Sequence, residues 1–420
     1  MRTIIAFVIL SCFANSPSSG APVFKARVYQ FQLLRLLGYA SAGAAEPGEV
    51  LETAQRVREN DDASWLAEWS ALARHVEGLA RELAAAGDRP GARNAYWRAS
   101  NYWRTAEFYS HATPHDAKVV AAWVHSRDCF VAGARLAATP IVPVRIPYQG
   151  TTLPGYLALV DASGARRPLL IAQSGFDGTG EEVYFHVGHD ANERGYNCLI
   201  FEGPGQGAAI RAQGLTFRPD WERVVTPVVD FALARPEVDP SRIALLGLSF
   251  GGYLAPRAAA FEPRLGALIA NGGILSFHDV CTRALGPDAD EKLADPVAAR
   301  AIDAGIRAGM KQSPGLRWVM NDGMYKLGAS SPVDFLRRTA PYDLRRVAHR
   351  IRCPTLVVDS ADDHESPGES RRLYDALRCP KEWLAFTSAD AAGEHCQVGA
   401  LQVSNARMFL WLDRTLRVRR

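Results

Sequence analysis

Residues 243–251 decide the fold of this chain, and their sequence is Ile243-Ala244-Leu245-Leu246-Gly247-Leu248-Ser249-Phe250-Gly251. The apolar run at the start predicts a buried strand, and the alanine-rich segment 253–260 that follows predicts a helix. A serine between two glycines at such a strand-to-helix junction is typical of a nucleophile elbow, a strained turn that presents the hydroxyl at the end of a sheet. The same pentapeptide also occurs by chance in ordinary turns, but the strand and the helix around it favour a nucleophile.

Other short apolar segments of the chain share this strand character. They alternate with helical stretches and glycine-rich turns, which is typical of a parallel sheet covered by helices on both faces. The predicted strands are residues 142–146, 155–160, 168–172, 197–201, 243–246, 265–270 and 354–358. The sequence therefore predicts an α/β fold whose mostly parallel sheet lies within residues 141–420.

Two regions outside the predicted strands are helical in pattern. Residues 22–140 repeat apolar and aromatic side chains at three- and four-residue spacings, as at Trp65, Trp69 and Leu72. Residues 275–342 form a second helical stretch, which we expect to be an insertion over the active edge of the sheet. We therefore expect a helical N-terminal or cap region at 22–140, followed by a core that carries the insertion.

The first 21 residues have the features of a secretory signal peptide: a basic Arg2, an apolar segment, and small residues before position 22. A flexible N-terminal leader or a misassigned start codon would give the same composition. An exported and a cytoplasmic location therefore both stay open. No later segment is apolar over the ~20 residues that a membrane-spanning helix needs. We therefore expect no stable association with a membrane.

Composition excludes several classes of function. The net charge of the 420-residue chain is only +3 and its basic residues are scattered, so no nucleic-acid-binding surface is expected. The seven cysteines show no short-spaced pairs, and a disulfide framework is not expected in a chain of this size. His186, His189 and Asp190 have the spacing of a metal pair without a convincing third ligand, so we predict neither a metal site nor a cofactor.

A serine nucleophile needs a base to take its proton and a third group to orient that base. Around an elbow of this kind the acid follows a later strand and the histidine comes last in the chain. We predict His395 as the base, because it precedes the last helical segment. Asp363 is the predicted acid, in the loop after the last predicted strand, with Asp362 and, more distantly, Asp359 as alternatives.

The negative charge that develops on the attacked oxygen needs backbone donors that are already in place. We predict the amides of Phe250, which follows the serine, and of Phe176, in the glycine-rich loop after residues 168–172. A second glycine-rich loop, residues 202–207, lacks a phosphate-binding signature and is expected to be a shaped loop near the pocket. The candidates for substrate binding near the mouth are Asp177, Glu181, Tyr102, Arg104 and His278.

Five segments of the sequence together resemble a known family. They are Asn101-Tyr102-Trp103-Arg104-Thr105-Ala106-Glu107-Phe108, Gly175-Phe176-Asp177-Gly178-Thr179-Gly180-Glu181-Glu182, Phe201-Glu202-Gly203-Pro204-Gly205-Gln206-Gly207, Gly247-Leu248-Ser249-Phe250-Gly251-Gly252 and Gly393-Glu394-His395-Cys396. From about residue 31 onward the chain resembles the α/β-hydrolase superfamily, in particular its branch of FrsA-like esterases, 2,6-dihydroxypseudooxynicotine hydrolase and fungal heptaketide chain-shortening hydrolases.

This resemblance implies an α/β-hydrolase fold with a helical cap and a Ser-His-Asp hydrolase. Some members of the branch cleave a carbon–carbon bond next to a ketone in polyketide-like substrates, and others are esterases. The acid loop departs slightly from the family pattern because it keeps two adjacent aspartates, Asp362 and Asp363. A fold of this kind supports many activities, so the resemblance alone does not identify the substrate.

We therefore predict a serine hydrolase that acts through an acyl-enzyme on a small aromatic or polyketide-like acyl compound, either an ester or a ketone. Cleavage of a C–C bond would need an additional proton donor, which the sequence does not identify. An acyltransferase or cyclase could use the same triad, and an exopeptidase is a further alternative, although no propeller or glutamate pair is recognisable. A non-catalytic binding protein is the fourth, and the complete set of serine, acid and base argues against it. A homodimer is left open.

Overall fold

The computed structural model describes residues 22–418, so the predicted signal peptide at residues 1–21 lies outside the described residues. An eight-stranded sheet forms its centre, with the strand order β1-β2-β4-β3-β5-β6-β7-β8. The strands are β1 (Ile141–Tyr148), β2 (Thr151–Ala158), β3 (Arg167–Gln173), β4 (Asn197–Phe201), β5 (Val238–Leu248), β6 (Ala267–Asn271), β7 (Thr355–Ser360) and β8 (Lys381–Phe386).

The sheet is mostly parallel, which confirms the predicted fold class. Strand β2 pairs antiparallel with both β1 and β4, whereas all the other neighbouring strands are parallel. Strand β5 lies between β3 and β6, so its last residue, Leu248, reaches the centre of one edge of the sheet. The carboxyl ends of parallel strands meet at that edge, which is where ligands bind in open α/β sheets.

Alternate side chains of the central strands enter two separate cores. Leu169 and Ile171 of β3 belong to one apolar cluster, whereas Leu170 and Ala172 belong to another. Successive residues of a strand point to opposite faces of the sheet, so a strand covered on both faces is apolar along its whole length. This is why the central strands were recognisable as short apolar runs.

Each of the seven predicted segments overlaps one of the strands β1 to β7, but β8 was not predicted. Strand β8 lies at the edge of the sheet, and its residues alternate between covered and accessible positions. The charged residues Lys381 and Glu382 at its start interrupt the apolar pattern. Charged side chains are common on edge strands, because they discourage pairing with other chains.

The helices before the sheet pack around a core of their own. They are α1 (Arg27–Gly38), α2 (Pro47–Ala54), α3 (Asp62–Ala85), α4 (Arg89–Glu107) and α5 (Ala117–Leu136). Tyr29, Trp65, Trp69 and Tyr102 are fully buried in this core. Asp61 caps the start of helix α3: its side chain accepts a hydrogen bond from the amide of Ser64 and so satisfies a free N–H group of the first turn.

The remaining helices cover the sheet or lie between its late strands. The helices that do not lie between β6 and β7 are α6 (Gly180–Val183), α7 (His189–Glu193), α8 (Gly207–Gln213), α9 (Glu222–Leu233), α10 (Gly251–Ala259), α16 (Glu369–Ala376) and α17 (Leu401–Thr415). Between β6 and β7 lie α11 (Phe277–Thr282), α12 (Ala289–Ala294), α13 (Pro296–Met310), α14 (Pro314–Leu327) and α15 (Pro332–Arg338). We call these five helices the β6–β7 insertion.

The described part of the chain has neither a membrane-spanning helix nor a disulfide bond. No helix within residues 22–418 combines the length and the apolar character that crossing a bilayer requires. The six cysteines of this part are free thiols.

Candidate active site

Ser249 stands in the turn between β5 and α10. Its φ of 60° lies in the left-handed region that non-glycine residues rarely adopt. Its amide donates a 2.8 Å hydrogen bond to the carbonyl oxygen of Asn271 in β6. Residue 247 must be glycine, because a Cβ atom on Gly247 would lie 2.0 Å from the carbonyl oxygen of Gly251. The turn is strained and tightly packed, as a nucleophile elbow requires.

Two hydrogen bonds connect Ser249 to a histidine and an aspartate from later loops. Ser249 Oγ lies 2.8 Å from Nε2 of His395, and Nδ1 of His395 lies 2.7 Å from Oδ2 of Asp363. His395 begins a short 3-10 turn after β8, in which the Gln397 side chain donates to Asn271 Oδ1 at 3.0 Å. Strand β6 therefore supports both the serine and the histidine turn.

Of the three aspartates considered as the acid, the structure brings Asp363 to His395. The Oδ1 atom of Asp363 accepts hydrogen bonds from the backbone amides of Glu365 at 2.8 Å and Ser366 at 3.2 Å. These bonds fix the carboxylate so that Oδ2 faces the imidazole. The carboxylate is thus buried, oriented and hydrogen-bonded at both oxygens.

The two alternative acids point elsewhere. The carboxylate of Asp362 packs against Gly393, where an added Cβ would lie 2.2 Å from Oδ2. Burial raises the pKa of the Asp359 carboxyl. Neither carboxylate forms a hydrogen bond with His395 in the described part of the chain.

The charges of Asp363 and His395 stabilise each other. Burial opposes ionisation of Asp363, but His395 and the two backbone amides hold the pKa of this carboxyl below its ordinary value. Burial also opposes protonation of His395, yet the adjacent carboxylate raises the pKa of the imidazole well above its ordinary value. The pair therefore favours the imidazolium that forms when His395 takes the proton of a serine.

The amides of Phe250 and Phe176 lie in adjoining loops beside Ser249. Among the described residues neither amide donates a hydrogen bond to the protein, and both residues line the same cavity as Ser249. A Cβ on Gly175 would lie 2.7 Å from the amide nitrogen of Phe250, so only glycine lets the two loops approach so closely. Two free N–H groups next to a serine can stabilise a developing oxyanion.

Ser249 and His395 open into a cavity of about 310 Å³. This volume is within the range of sites for small molecules, whose walls are mostly apolar with a few placed polar groups. The N-terminal helical region, the loops of the sheet edge and the β6–β7 insertion all contribute walls. The aromatic residues among them are Phe31, Tyr39, Phe108, Tyr109, Phe176, Phe250, Phe277, Trp318 and Phe335.

Asp177 lines this cavity, as predicted for a residue near the mouth. Its carboxylate accepts hydrogen bonds from Arg35 of α1 at 2.9 and 3.3 Å. Arg35 also donates two hydrogen bonds of 2.6 Å to Glu182. Burial opposes ionisation of Asp177, but Arg35 and Lys326 hold the pKa of this carboxyl at about 2. The Asp177 carboxylate is therefore paired with the guanidinium of Arg35.

The other four residues predicted to bind substrate are not among the residues that line the cavity. The Tyr102 hydroxyl donates to Glu49 at 2.7 Å, and Arg104 pairs with Glu182 at 3.4 Å. Both side chains are buried in or below the N-terminal helices. Buried polar groups need partners, and the protein supplies them to the Tyr102 hydroxyl and to Nη2 of Arg104. Nε and Nη1 of Arg104 have no hydrogen-bond partner among the described residues.

Glu181 and His278 are also engaged by the protein. Glu181 accepts a hydrogen bond from the hydroxyl of Tyr156. The two ring nitrogens of His278 lie 2.7 Å from Thr339 Oγ1 and 2.8 Å from Asp290 Oδ1. Glu181 and His278 are therefore close to site residues in sequence, but they do not line the cavity.

Three polar residues of the cavity were missed or misjudged from sequence. Arg35 carries no local signal, because its carboxylate partners are more than a hundred positions away. Glu365 follows Asp363 by two positions, and enclosure by protein raises the pKa of its carboxyl. His186 was considered only as a metal ligand, whereas it lines the cavity, and burial lowers the pKa of its imidazole to about 4.

The sequence neighbours His189 and Asp190 form a cluster with Glu193, with one ligand atom of each within 4.8 Å of the others. Asp190 is already engaged, since its carboxylate accepts hydrogen bonds from Gln402 at 3.2 Å and Asn405 at 2.8 Å. These contacts of Asp190 attach α17 to α7.

Comparisons with known proteins agree with this architecture. The sequence matches the family described as "Esterase FrsA-like" over residues 41–297. "Hydrolase LUC6" of Fusarium sp is 35% identical over 420 residues, covering 95% of this chain and 99% of the relative. "20-hydroxy-prefusarin hydrolase FUS2" of Gibberella moniliformis is 35% identical over 419 residues, also covering 95% of this chain and 99% of the relative.

Solved structures show the same fold at lower sequence identity. The 2,6-dihydroxy-pseudo-oxynicotine hydrolase superposes with a TM-score of 0.71 at 20% identity, covering 90% of this chain and 95% of that chain. Wild-type AbyA5 superposes with a TM-score of 0.60 at 18% identity, covering 93% of this chain and 98% of that chain. The resemblance predicted from the motifs is confirmed. The chain is a hydrolase that belongs to the FrsA-like branch of the α/β-hydrolase superfamily.

Proposed function

We propose that this protein hydrolyses an acyl bond, either an ester or a C–C bond next to a ketone, in an aromatic or polyketide-like small molecule. One observation carries the proposal. Ser249 lies 2.8 Å from His395, which lies 2.7 Å from Asp363, and both Ser249 and His395 line a cavity with apolar walls. A serine becomes nucleophilic when an oriented base can take its proton.

The proposed reaction begins with attack of Ser249 Oγ on the substrate carbonyl while His395 Nε2 takes the hydroxyl proton. The negative charge moves to the carbonyl oxygen, where the amides of Phe176 and Phe250 would donate hydrogen bonds. The intermediate then expels the leaving group, which receives a proton, and an acyl-enzyme on Ser249 remains. Water, activated by His395, releases the acid and restores the serine.

The shape and chemistry of the cavity support an apolar, aromatic substrate. Its walls carry side chains from α1, from the end of α4 and from the insertion, such as Phe31, Phe108 and Trp318. Aromatic rings bury large apolar areas and stack on other rings. The relative from Gibberella moniliformis is named as a hydrolase of 20-hydroxy-prefusarin, and its similarity along nearly the whole chain supports a polyketide-like substrate here.

Cleavage of a C–C bond would leave a carbanion or enolate that needs a proton. One titratable residue with a raised pKa, Glu365, lines the cavity and could provide it, whereas the lowered pKa of His186, about 4, keeps its imidazole neutral at pH 7. Enclosure by protein raises the pKa of Glu365, which favours its protonated form. The imidazolium of His395 is the alternative donor and is sufficient for an ester, whose leaving group is an alkoxide.

Product analysis tests the proposal. Wild-type protein and Ser249→Ala are incubated with a panel of aryl esters and aryl β-diketones, and the products are identified by mass spectrometry. We expect serine-dependent formation of an acid plus an alcohol from esters, or an acid plus a ketone from β-diketones. Full turnover by Ser249→Ala would overturn the mechanism. The same assays with added alcohol or amine would reveal acyl transfer as a new ester or amide.

A further inference from the structure

The loop that supplies the Phe176 amide is held by side chains from two other parts of the chain. Gln206 Nε2 donates hydrogen bonds to the carbonyl oxygens of Ser174 at 2.8 Å and Gly175 at 2.9 Å. Lys326 Nζ donates to the carbonyl oxygen of Phe176 at 2.5 Å. Three consecutive carbonyl groups are therefore fixed by two side chains, each of which is only 1% exposed.

Gln206 controls the direction of the Phe176 N–H group through a shared peptide plane. The carbonyl of Gly175 and the amide of Phe176 belong to the same peptide bond, which is trans. In a trans peptide the C=O and N–H vectors point in opposite directions. A hydrogen bond that holds the Gly175 oxygen on one side therefore directs the Phe176 N–H to the other side.

The orientation of the Gln206 amide is itself fixed. Its Oε1 accepts a hydrogen bond from the amide of Gly203 at 3.0 Å, so Nε2 is the atom that faces Ser174 and Gly175. Gln206 belongs to the glycine-rich loop of residues 202–207, which is expected from sequence only to be a shaped loop near the pocket. The structure connects that loop to the backbone next to the nucleophile.

Lys326 fixes the following peptide, whose carbonyl belongs to Phe176. It belongs to α14 of the β6–β7 insertion, and its ammonium group also pairs with Asp322 at 3.0 Å. The same ammonium lies 5.3 Å from the ring centre of Phe176, so it contacts both the backbone and the side chain of that residue. A buried ammonium is costly unless it is paired and hydrogen-bonded, and here it is both.

A hydrogen-bonded chain anchors Lys326 to the N-terminal helices. Asp322 Oδ1 lies 2.5 Å from Nδ1 of His111, and Nε2 of His111 lies 2.7 Å from Glu107 in α4. Both carboxylates contact the same imidazole, and although burial opposes its protonation, they raise the pKa of His111. The position of Lys326 therefore depends on the insertion being docked against α4.

We propose that Gln206 and Lys326 are positioning residues of the oxyanion hole, which hold the Phe176 N–H in the direction that a developing oxyanion needs. The inference rests on the proposed function, because it assigns the Phe176 amide to that hole. Because Lys326 belongs to the β6–β7 insertion, the hole is complete only when that insertion is in place. Neither side chain contacts the reacting atoms, so both act through the backbone of the loop.

Gln206→Met and Lys326→Met test the proposal, since methionine keeps approximate length and removes the donor. We expect kcat to fall about 10- to 100-fold while KM changes less than about threefold, because only transition-state stabilisation is lost. An aryl boronic acid provides a second readout: Ser249 Oγ adds to boron, its proton passes to His395, and a boron-bound oxygen occupies the hole. Its affinity should fall by a similar factor, whereas a neutral aryl ketone that binds reversibly should keep its affinity.

Two matched controls make the same chemical changes elsewhere. Gln213 donates to the carbonyl oxygen of Thr152 at 3.0 Å, and Lys292 donates to that of Leu285 at 2.6 Å, both outside the cavity lining. Gln213→Met and Lys292→Met should leave kcat and boronate affinity unchanged. If Lys326→Met does not fold, Asp322→Asn removes the ion pair of Lys326 and should show the same selective loss in milder form.

The outcomes separate this inference from the proposed function. Serine-dependent turnover in the wild type, with unchanged kcat and boronate affinity in Gln206→Met and Lys326→Met, would overturn the positioning role alone. An equal loss of affinity for the boronate and for the neutral ketone would also overturn it, because the loss would then concern binding in general. Turnover that survives Ser249→Ala would instead reject the proposed function.

Discussion

Ser249 has a strained backbone conformation, and Asp363 and protonated His395 carry charges in a buried environment. A non-glycine residue in the left-handed region costs about 1–3 kcal/mol, and the φ of 60° at Ser249 is such a case. Burial opposes the charge of Asp363 and of protonated His395, and their mutual contact at 2.7 Å compensates for it. Strain and buried charge concentrate here, which is typical of functional sites.

Asp363→Asn should lower kcat/KM by about 10⁴-fold, because an amide favours the wrong tautomer of His395 and does not stabilise the imidazolium. The substitution also removes the charge that raises the pKa of His395. A base must be unprotonated to act, so loss of that charge should move the acidic limb of the pH–rate profile to lower pH. Measurement of kcat/KM against pH determines both effects.

Asp362→Asn is the matched control for this experiment. Asp362 precedes Asp363 in the same loop, but its carboxylate packs against Gly393 instead of His395. We expect the rate and the acidic limb to stay at their wild-type values. A shifted limb in Asp362→Asn together with a normal one in Asp363→Asn would assign the acid to the other aspartate.

The junction of β5 and α10 depends on close backbone contact. Gly247→Ala would bring a Cβ to within 2.0 Å of the carbonyl oxygen of Gly251, and a backbone atom cannot move away as a flexible side chain can. We expect a loss of more than about 2 kcal/mol in the free energy of unfolding, measured by urea denaturation. Gly78→Ala is the comparison: Gly78 lies inside α3 with open space around its Cβ position, and its replacement should stabilise the protein by about 0.5–1 kcal/mol. Equal stabilities of the two variants would contradict the close packing of the elbow.

The elements were predictable to the extent that a single local pattern determines them. The central strands β3, β4, β6 and β7 are buried along almost their whole length and are visible as apolar runs. Edge strand β8 begins with Lys381 and Glu382 and was missed. The pentapeptide around Ser249 predicts its own turn, because only glycine at position 247 permits the packing there. The order of serine, acid and histidine along the chain then points to His395 and to a short acidic loop.

The remaining site residues were not predictable, because their roles depend on contacts between distant segments. Sequence favours Asp363 as the acid but leaves Asp362 as an alternative, because only the folded loop shows which carboxylate faces His395. Tyr102 and Arg104 lie on faces of α4 that contact other groups of the protein. Arg35 enters the cavity from a helix whose sequence has no chemical motif.

A buried ion-pair network joins the N-terminal helices to the sheet-containing core. Arg35 of α1 contacts Asp177 at 2.9 Å and Glu182 at 2.6 Å, and the hydroxyl of Tyr39 donates to Glu182 at 2.8 Å. Removal of one partner from a buried pair leaves an uncompensated charge, which is strongly destabilising. The network therefore fixes the wall of the cavity that the N-terminal helices supply.

This network should make stability depend on acid pH through Asp177. Arg35 and Lys326 overcome the cost of burial and lower the pKa of Asp177 to about 2 in the folded protein. A carboxyl with a lowered pKa stabilises the folded state above its unfolded pKa of about 4, and that contribution disappears as the pH falls toward 2. Asp177→Asn should thus lose about 2 kcal/mol at pH 7 and depend less on pH between 4 and 2.

Urea denaturation at a series of pH values measures this dependence. Asp161→Asn is the control, because Asp161 pairs with Arg167 at 2.7 Å in an exposed position where water screens the charges. Its acid transition should follow the wild type closely. An unchanged stability of Asp177→Asn at pH 7 would show that the network does not hold the N-terminal helices to the core.

Direct detection of the acyl-enzyme tests the central claim most closely. Wild-type protein is mixed rapidly with an aryl ester, quenched in acid, and analysed by intact-protein and peptide mass spectrometry. We predict a transient mass increase equal to the acyl group, located on Ser249, absent in Ser249→Ala and much slower to appear in Asp363→Asn than in Asp362→Asn. Acylation of another residue, such as Cys396, which also lines the cavity, or ester turnover without any acylated serine, would contradict the account.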